Sequence, residues 1–152
     1  MPTRPVEGCR RRILGRADRV SAAQSSGSPR PARTTLPADL TSVRAARRFV
    51  AERCAAAGLS ADRCDDALLL TSELVTNAVL HGRSEVEVVV ASTARRVRIE
   101  VADENSRRPQ PVPEDPNALD GRGLALVDAV ALRWGVDDRP LGKAVWFELE
   151  RG

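Results

Sequence analysis

Two polar side chains, Glu73 and Asn77, stand four residues apart inside the otherwise largely apolar stretch SELVTNAVLHG. Because four residues are slightly more than one helical turn, the carboxylate and the carboxamide project from one face. An amide oxygen such as that of Asn77 is a hard ligand, and Mg²⁺ takes one or two such oxygens together with substrate phosphates and waters. Glu73 could orient or deprotonate a nucleophile, either water or a protein hydroxyl group. The alternative is a hydrogen bond between the two side chains on a solvated rim.

A third polar residue, Asp103, ends the stretch RRVRIEVAD, in which apolar and charged residues alternate. In a strand of period two it shares a face with Val97, Ile99 and Val101, so its carboxylate points to the covered side of the sheet. A half-buried acceptor at that place requires donors, and the exocyclic amine of adenine is geometrically suitable. The alternative, in which Asp103 bonds its own backbone in the following loop, fits the residue equally well.

A glycine pair, Gly121 and Gly123, flanks Arg122 and precedes the apolar Leu124 at the predicted start of a helix. Glycine permits close approach of a backbone, and the unpaired amides of a first helical turn favour an anion such as phosphate. Arg122 could add charge-assisted hydrogen bonds to that anion. A single GxG is a weak signal, and by itself a flexible hinge between loop and helix explains it better.

The histidine and the cysteines receive structural interpretations. His81 lies one turn beyond Asn77 at the negative end of the predicted helix, which favours a structural role over that of a phosphoacceptor. Cys9, Cys54 and Cys64 have no CxxC spacing, so they predict neither a zinc site nor a disulfide framework. Small buried thiols are the expected state of such residues.

The elements that must position these side chains follow from the periodicity of the chain. One helix is expected to begin after Asp39 or Thr41 and to stop at Gly58, and a second to begin at Ser60 or Asp62 and to end near His81. The later elements are two strands, a helix and two closing strands, read from EVEVVVA, RRVRIEVAD, LALVDAVALR, WGVDD and GKAVWFELE.

The order α-α-β-β-loop-α-β-β predicts an α/β (α+β) two-layer sandwich, with helices packed on one face of a mainly antiparallel mixed sheet. The loop, residues 104–120, contains four prolines and shows no periodicity. Loops of that length inside a compact domain are uncommon and usually functional.

Composition divides the chain of 152 residues into a tail and a domain. Residues 1–33 are rich in arginine, serine, proline and glycine, and they predict a disordered basic tail ahead of a domain at 34–152. A nucleic-acid-binding arm is the alternative for the tail. The net charge is +3, and because the tail is basic, the domain itself is mildly acidic, which argues against a nucleic-acid binder.

The expected location is the cytoplasm. No apolar run approaches the roughly 18–20 residues of a membrane span. The N-terminal segment has arginines without the apolar core of a secretory signal.

Together these motifs resemble the ATP-binding domain of the GHKL superfamily, which contains gyrase, a heat-shock chaperone, histidine kinases and MutL and is also named after the Bergerat fold. SELVTNAVLHG resembles its N box, VADEN its adenine-binding aspartate motif and GRGLALVDAV its second glycine motif. The resemblance covers about residues 36–150. In length and detail the chain is most similar to the anti-sigma factor serine/threonine kinases, which are stand-alone ATP-binding regulatory proteins.

The resemblance implies a role for each matching residue. Asn77 would hold Mg²⁺ that bridges the phosphates of ATP, Glu73 would be the catalytic base, and Asp103 would bind the adenine amine. Residues 104–120 would form a lid over the nucleotide. The other nucleotide-binding residues, in the aspartate and glycine motifs, would be Asn105, Gly121, Arg122, Gly123 and Leu124.

At two positions the sequence departs from the superfamily pattern. Asn105 stands where a glycine often follows the aspartate motif, and Ala144 stands where the closing strand often carries a hydroxyl group. Both departures predict fewer contacts on the adenine side and a weaker affinity for ATP.

Two functions of different classes remain. The resemblance implies a kinase that uses ATP and Mg²⁺, sequesters a sigma factor and phosphorylates a serine or threonine of that factor's antagonist. The alternative is a non-catalytic, nucleotide-dependent binding module that acts as a partner switch. A histidine kinase is disfavoured by the single histidine. A homodimer is expected from the resemblance, and direct contact with nucleic acid or membrane is not.

Overall fold

The structure, a computed structural model, describes residues 30–81, 84–104, 119–140 and 142–152. For residues 119–123 it describes the backbone, and side chains are described again from Leu124 onward. This part of the chain forms five strands and three helices. In chain order they are β1 (Ala32–Leu36), α1 (Thr41–Ala56), α2 (Ala61–His81), β2 (Val86–Ser92), β3 (Arg96–Asp103), α3 (Leu119–Val130), β4 (Arg133–Arg139) and β5 (Gly142–Glu150).

The strands form one sheet in the order β1-β2-β3-β5-β4. Each neighbouring pair is antiparallel, so the described sheet is antiparallel throughout rather than mixed. The predicted architecture, helices packed on one face of a sheet, is confirmed. No described helix combines the length and the apolar character that crossing a bilayer requires.

The edge strand β1 was not predicted. Ala32, Thr34 and Leu36 are half-buried, while the alternating Arg33 and Thr35 are exposed. A five-residue segment with one large apolar side chain carries little signal, and its strand form depends on pairing with β2. The predicted domain boundary at residue 34 falls inside this strand. The rest of the predicted tail, residues 1–29, lies outside the described residues.

Both long helices begin and end close to the residues that predicted them. Through its Oδ1 atom, Asp39 accepts a hydrogen bond from the backbone N–H of Thr41 at 3.1 Å. Gly58 follows α1 with a φ of 79°, a left-handed conformation that favours glycine. At the start of α2, the Oγ atom of Ser60 accepts a hydrogen bond from the N–H of Arg63 at 3.3 Å, which is an N-cap.

The hydrophobic core lies between the helices and one face of the sheet. Val97, Ile99 and Val101 point into it, as the alternation along β3 predicted. Trp134 and Phe147, which pair across β4 and β5, supply its aromatic side chains. Helix α2 contributes a buried stripe that consists of Ala67, Leu70, Thr71, Leu74, Val75 and Ala78.

The opposite face of the sheet carries ion pairs. The guanidinium of Arg98 lies 4.1 Å from the ring centroid of Trp146, and its Nε is 3.0 Å from a carboxylate oxygen of Glu100. Glu148 accepts a hydrogen bond from Arg133 at 2.8 Å. The sheet separates these groups from the face that Asp103 shares with the core, so they lie apart from the residues that the motifs singled out.

Candidate functional site

Glu73 and Asn77 lie on one flank of α2, beside the buried stripe of that helix, and both are half-buried. Within the described residues no hydrogen bond joins the two side chains, so the alternative of a Glu–Asn pair on a solvated rim finds no support. Both groups are therefore available to a ligand or to a reacting hydroxyl group. The spacing alone predicted this shared flank.

The Oδ1 atom of Asn77 is buried and has no hydrogen-bond partner among the described residues. A buried acceptor left without a partner costs about 1–3 kcal/mol, so such an atom suggests a missing donor or cation. An amide oxygen is a suitable ligand for Mg²⁺ that is also held by phosphates. No cluster of three or more His, Cys, Asp or Glu side chains in the described ranges could hold a metal by itself. The donor set fits an ion that arrives with a nucleotide.

Asp103 is the last residue of β3 and is 7% exposed. It pairs with Val86 on β2 and with Lys143 on β5, on the face of the sheet that the helices cover. The period-two rule predicted this orientation. Lys143 also pairs with Asp138 on β4, so its register position is flanked by two carboxylates. None of the motifs indicates this position of Lys143, because register is a property of the assembled sheet.

The peptide that follows Asp103 is enclosed from two sides. Ser84 accepts a hydrogen bond through Oγ from the backbone N–H of Glu104 at 3.0 Å. Gly142, with a φ of 143°, lies so close that an added Cβ would overlap the carbonyl oxygen of Asp103 and lie 2.7 Å from the Cα of Glu104. The motifs indicated neither Ser84 nor Gly142, since both act through contacts between distant parts of the chain.

The two halves of the predicted site lie at the same end of the sandwich. Helix α2, which carries Asn77, ends at His81. Five residues later the chain reaches Val86, the register partner of Asp103. His81 itself is exposed at the C-terminus of the helix, the position that the sequence predicted for it.

The glycine motif lies inside α3 rather than ahead of it. The predicted start of this helix was the Gly121–Gly123 pair, whereas α3 begins two residues earlier, at Leu119. Because glycine is a poor helix former, the glycine pair predicts that the helix begins at or after these residues. The helix begins earlier, since neither Leu119 nor Asp120 opposes helix formation. The side chain of Arg122 lies outside the described ones. Leu124 is half-buried and packs against the core.

Two further predictions concern the adenine side. Asn105, together with the part of the predicted lid that spans residues 105–118, lies outside the described residues. Ala144 is fully buried and pairs with Ala102, on the face of the sheet opposite to Asp103. The Ala144 side chain therefore points away from the side on which Asp103 lies, and the expected effect of the missing hydroxyl group on ATP affinity stays a prediction.

The described cysteines are free thiols, and Cys54 is buried. Burial raises the pKa of the Cys54 thiol to about 12, and the adjacent Cys64 thiol adds to this rise through its charge and a hydrogen bond. Cys54 thus fits the prediction of small buried thiols, whereas Cys64 is half-buried and Cys9 lies outside the described residues.

Raising the pH above 9.0 is expected to destabilise the protein partly through Cys54. The unfolded chain ionises this thiol near its ordinary pKa of 9.0, whereas the folded chain keeps it neutral to about pH 12. The stabilisation is thus complete below pH 9.0 and is lost as the pH rises toward 12. Chemical denaturation at pH 8, 9 and 10 would measure it, and the Cys54→Ala variant should show a shallower decline. An equal decline in both proteins would contradict the prediction.

Comparison with known proteins gives a match over most of the chain. Residues 36–149 match the family model of the histidine kinase-like ATPase domain. The match begins at the last residue of β1 and ends in β5, so it includes all three helices and every described residue of the candidate site. No curated relative matches the chain closely enough to be compared with it.

Proposed function

The chain belongs to the histidine kinase-like ATPase domain family, and from this we propose that it is an ATP-binding anti-sigma factor serine/threonine kinase. The observation that supports the proposal best is the buried, unpartnered Oδ1 atom of Asn77, one turn from Glu73. Members of the superfamily bind ATP, usually with Mg²⁺. An oxygen that lacks a partner at this position of α2 is suited to that ion.

Asp103 would select the base of the nucleotide. Its buried carboxylate accepts hydrogen bonds, and adenine presents an exocyclic amine where guanine presents a carbonyl oxygen. A carboxylate facing that carbonyl oxygen would be repelled, and it would not receive the hydrogen bond that the adenine amine donates. Asp103 therefore favours ATP over GTP.

Glu73 would act on the acceptor hydroxyl group of the partner protein. The hydroxyl oxygen forms a bond to the γ-phosphorus while the bond from that phosphorus to the β,γ-bridging oxygen breaks, and ADP leaves. The proton of the hydroxyl group passes to the Glu73 carboxylate. Mg²⁺, held by Asn77 and the phosphates, would offset the negative charge that the phosphate oxygens carry.

The partners of the proposal follow from the resemblance to the anti-sigma factor kinases. The protein would sequester a sigma factor and phosphorylate a serine or threonine of the antagonist that releases that factor. It would act in the cytoplasm, as a homodimer, without direct contact with nucleic acid or membrane. Molar mass measured in solution by light scattering tests the dimer.

The kinase proposal is tested with purified protein, Mg²⁺ and ATP labelled at the γ-phosphate, mixed with a candidate antagonist protein. We expect transfer of label to one hydroxyl residue of the antagonist. The product should be stable in acid, since a phosphate ester of serine or threonine survives acid whereas phosphohistidine is hydrolysed. Intact ATP binding without any transfer would contradict the kinase proposal.

One observation favours a second candidate, a nucleotide-dependent binding module without phosphate transfer. No described side chain makes a hydrogen bond to the Glu73 carboxylate, whereas bases in active sites are commonly oriented by a neighbouring group. A module of this kind would use Asp103 and Asn77 to bind nucleotide and would change its affinity for a partner. Glu73 would then be dispensable.

A further inference from the structure

We propose that Ser84 and Gly142 form a clamp on the Asp103–Glu104 peptide that positions the Asp103 carboxylate and so sets the affinity for the adenine nucleotide. The proposal rests on the proposed role of Asp103 in binding adenine. Ser84 lies outside the motifs that carry the resemblance, and Gly142, the first residue of the closing stretch GKAVWFELE, was given no role there. Both are positioning residues, since they act on Asp103 and not on the nucleotide.

Ser84 accepts a hydrogen bond from the Glu104 N–H, a backbone group just beyond the β2–β3 ladder. The ladder between β2 and β3 ends with the pair of Val86 and Asp103, so Glu104 lies just beyond it. The Oγ atom of Ser84 accepts the hydrogen bond of the Glu104 N–H at 3.0 Å and donates one to the carbonyl oxygen of Glu85 at 3.4 Å. The strand end that carries Asp103 is therefore held at its last peptide.

Gly142 confines the same peptide from the other neighbouring strand. It is the first residue of β5, and Lys143, the next residue, pairs with Asp103. A Cβ at position 142 would overlap the Asp103 carbonyl oxygen and would lie 2.9 Å from the Asp103 carbonyl carbon. Only glycine permits β5 to begin this close to β3.

The clamp also connects the two halves of the candidate site. Ser84 lies three residues beyond His81, the end of the helix that carries Asn77. Its hydrogen bond to Glu104 joins the chain leaving α2 to the chain leaving β3. A carboxylate held in its binding orientation before the ligand arrives needs less ordering on binding, which raises affinity.

Ser84→Ala is the decisive variant, and Thr93→Ala is its matched control. The Oγ1 atom of Thr93 accepts a hydrogen bond from the N–H of Arg96 at 3.1 Å, at the opposite end of the same β2–β3 hairpin. Each variant removes one hydroxyl that accepts a backbone hydrogen bond. We expect Ser84→Ala to weaken ATP binding about 3- to 10-fold, the loss typical of one hydrogen bond, and Thr93→Ala to leave it unchanged.

Three measurements test the clamp: the dissociation constant for ATP by calorimetry, the melting temperature without nucleotide, and hydrogen exchange at the Glu104 amide by NMR. Ser84→Ala should speed exchange at Glu104, and Ser84→Thr, which keeps the hydroxyl, should restore both protection and affinity. Gly142→Ala should weaken ATP binding more than Ser84→Ala does. If Gly142→Ala does not fold, the serine variants still decide.

Equal losses of ATP affinity in Ser84→Ala and Thr93→Ala would overturn the clamp, because hairpin stability alone would then explain them. Wild-type affinity in Ser84→Ala would overturn it as well. Failure of the proposed function looks different: the wild-type protein itself would not bind ATP, although removal of Ser84 would still expose the Glu104 amide to exchange. That result would refute the effect on ATP affinity but would still confirm the hydrogen bond between Ser84 and the Glu104 amide.

Discussion

Replacing Glu73 with glutamine is expected to lower phosphate transfer about 10²- to 10⁴-fold while ATP binds with nearly unchanged affinity. Glutamine keeps the size and the position of the side chain on the flank of α2 but cannot accept a proton. Asn77, one turn away, still presents its buried oxygen. Initial rates of label transfer from γ-labelled ATP would measure the first quantity, and calorimetry would measure the second.

The control for this variant is Glu52→Gln, since Glu52 is an exposed glutamate on α1, outside the candidate site. It should transfer phosphate at the wild-type rate. If Glu73→Gln keeps full activity, Glu73 is not the base. If neither the wild-type protein nor Glu73→Gln transfers phosphate, but Glu73→Gln still regulates its partner in cells, the nucleotide-dependent binding module becomes the better description.

Replacing Asp103 with alanine is expected to weaken ATP binding by about 10- to 100-fold or more. A hydrogen bond to a charged group is worth about 1.5–3 kcal/mol, and alanine removes the whole acceptor. Asparagine at this position retains one acceptor oxygen and loses the charge, so Asp103→Asn should lie between alanine and the wild type. The preference for ATP over GTP should fall in the same order, because the base is what the carboxylate recognises.

Asp65→Ala, which changes an exposed aspartate on α2, controls for the general loss of a negative charge. Because Asp103 is 7% exposed, the melting temperature of each variant must be recorded without nucleotide, so that unfolding is not mistaken for lost affinity. Wild-type affinity in a folded Asp103→Ala protein would refute the assignment of the adenine site.

Much of the framework could be predicted from local patterns. The Ser60 cap, the hydrogen bond from the Thr41 N–H to Asp39 and the stop at Gly58 depend on neighbouring residues, and both helices lie close to their predicted positions. The predicted side-chain cap of α1 is wrong, because its N-cap residue is Leu40, which makes no side-chain hydrogen bond. Alternation along β3 placed Val97 and its neighbours in the core and Asp103 on the same face. Errors arose where local preference competes with context. Glycine predicts a late start for α3, and the short β1 contains too few apolar residues to predict a strand.

By itself the sequence determined which side chains could do chemistry: the shared flank of Glu73 and Asn77, because a helix repeats every 3.6 residues, and the inward direction of Asp103, because a strand repeats every two. Only the tertiary structure decided how those groups are held. Three features depend on register and packing between segments far apart in the chain: the burial of the Asn77 oxygen, the position of Ala144 on the face opposite to Asp103, and the contacts of Ser84 and Gly142 with the Asp103–Glu104 peptide. No periodicity within one segment encodes those relations.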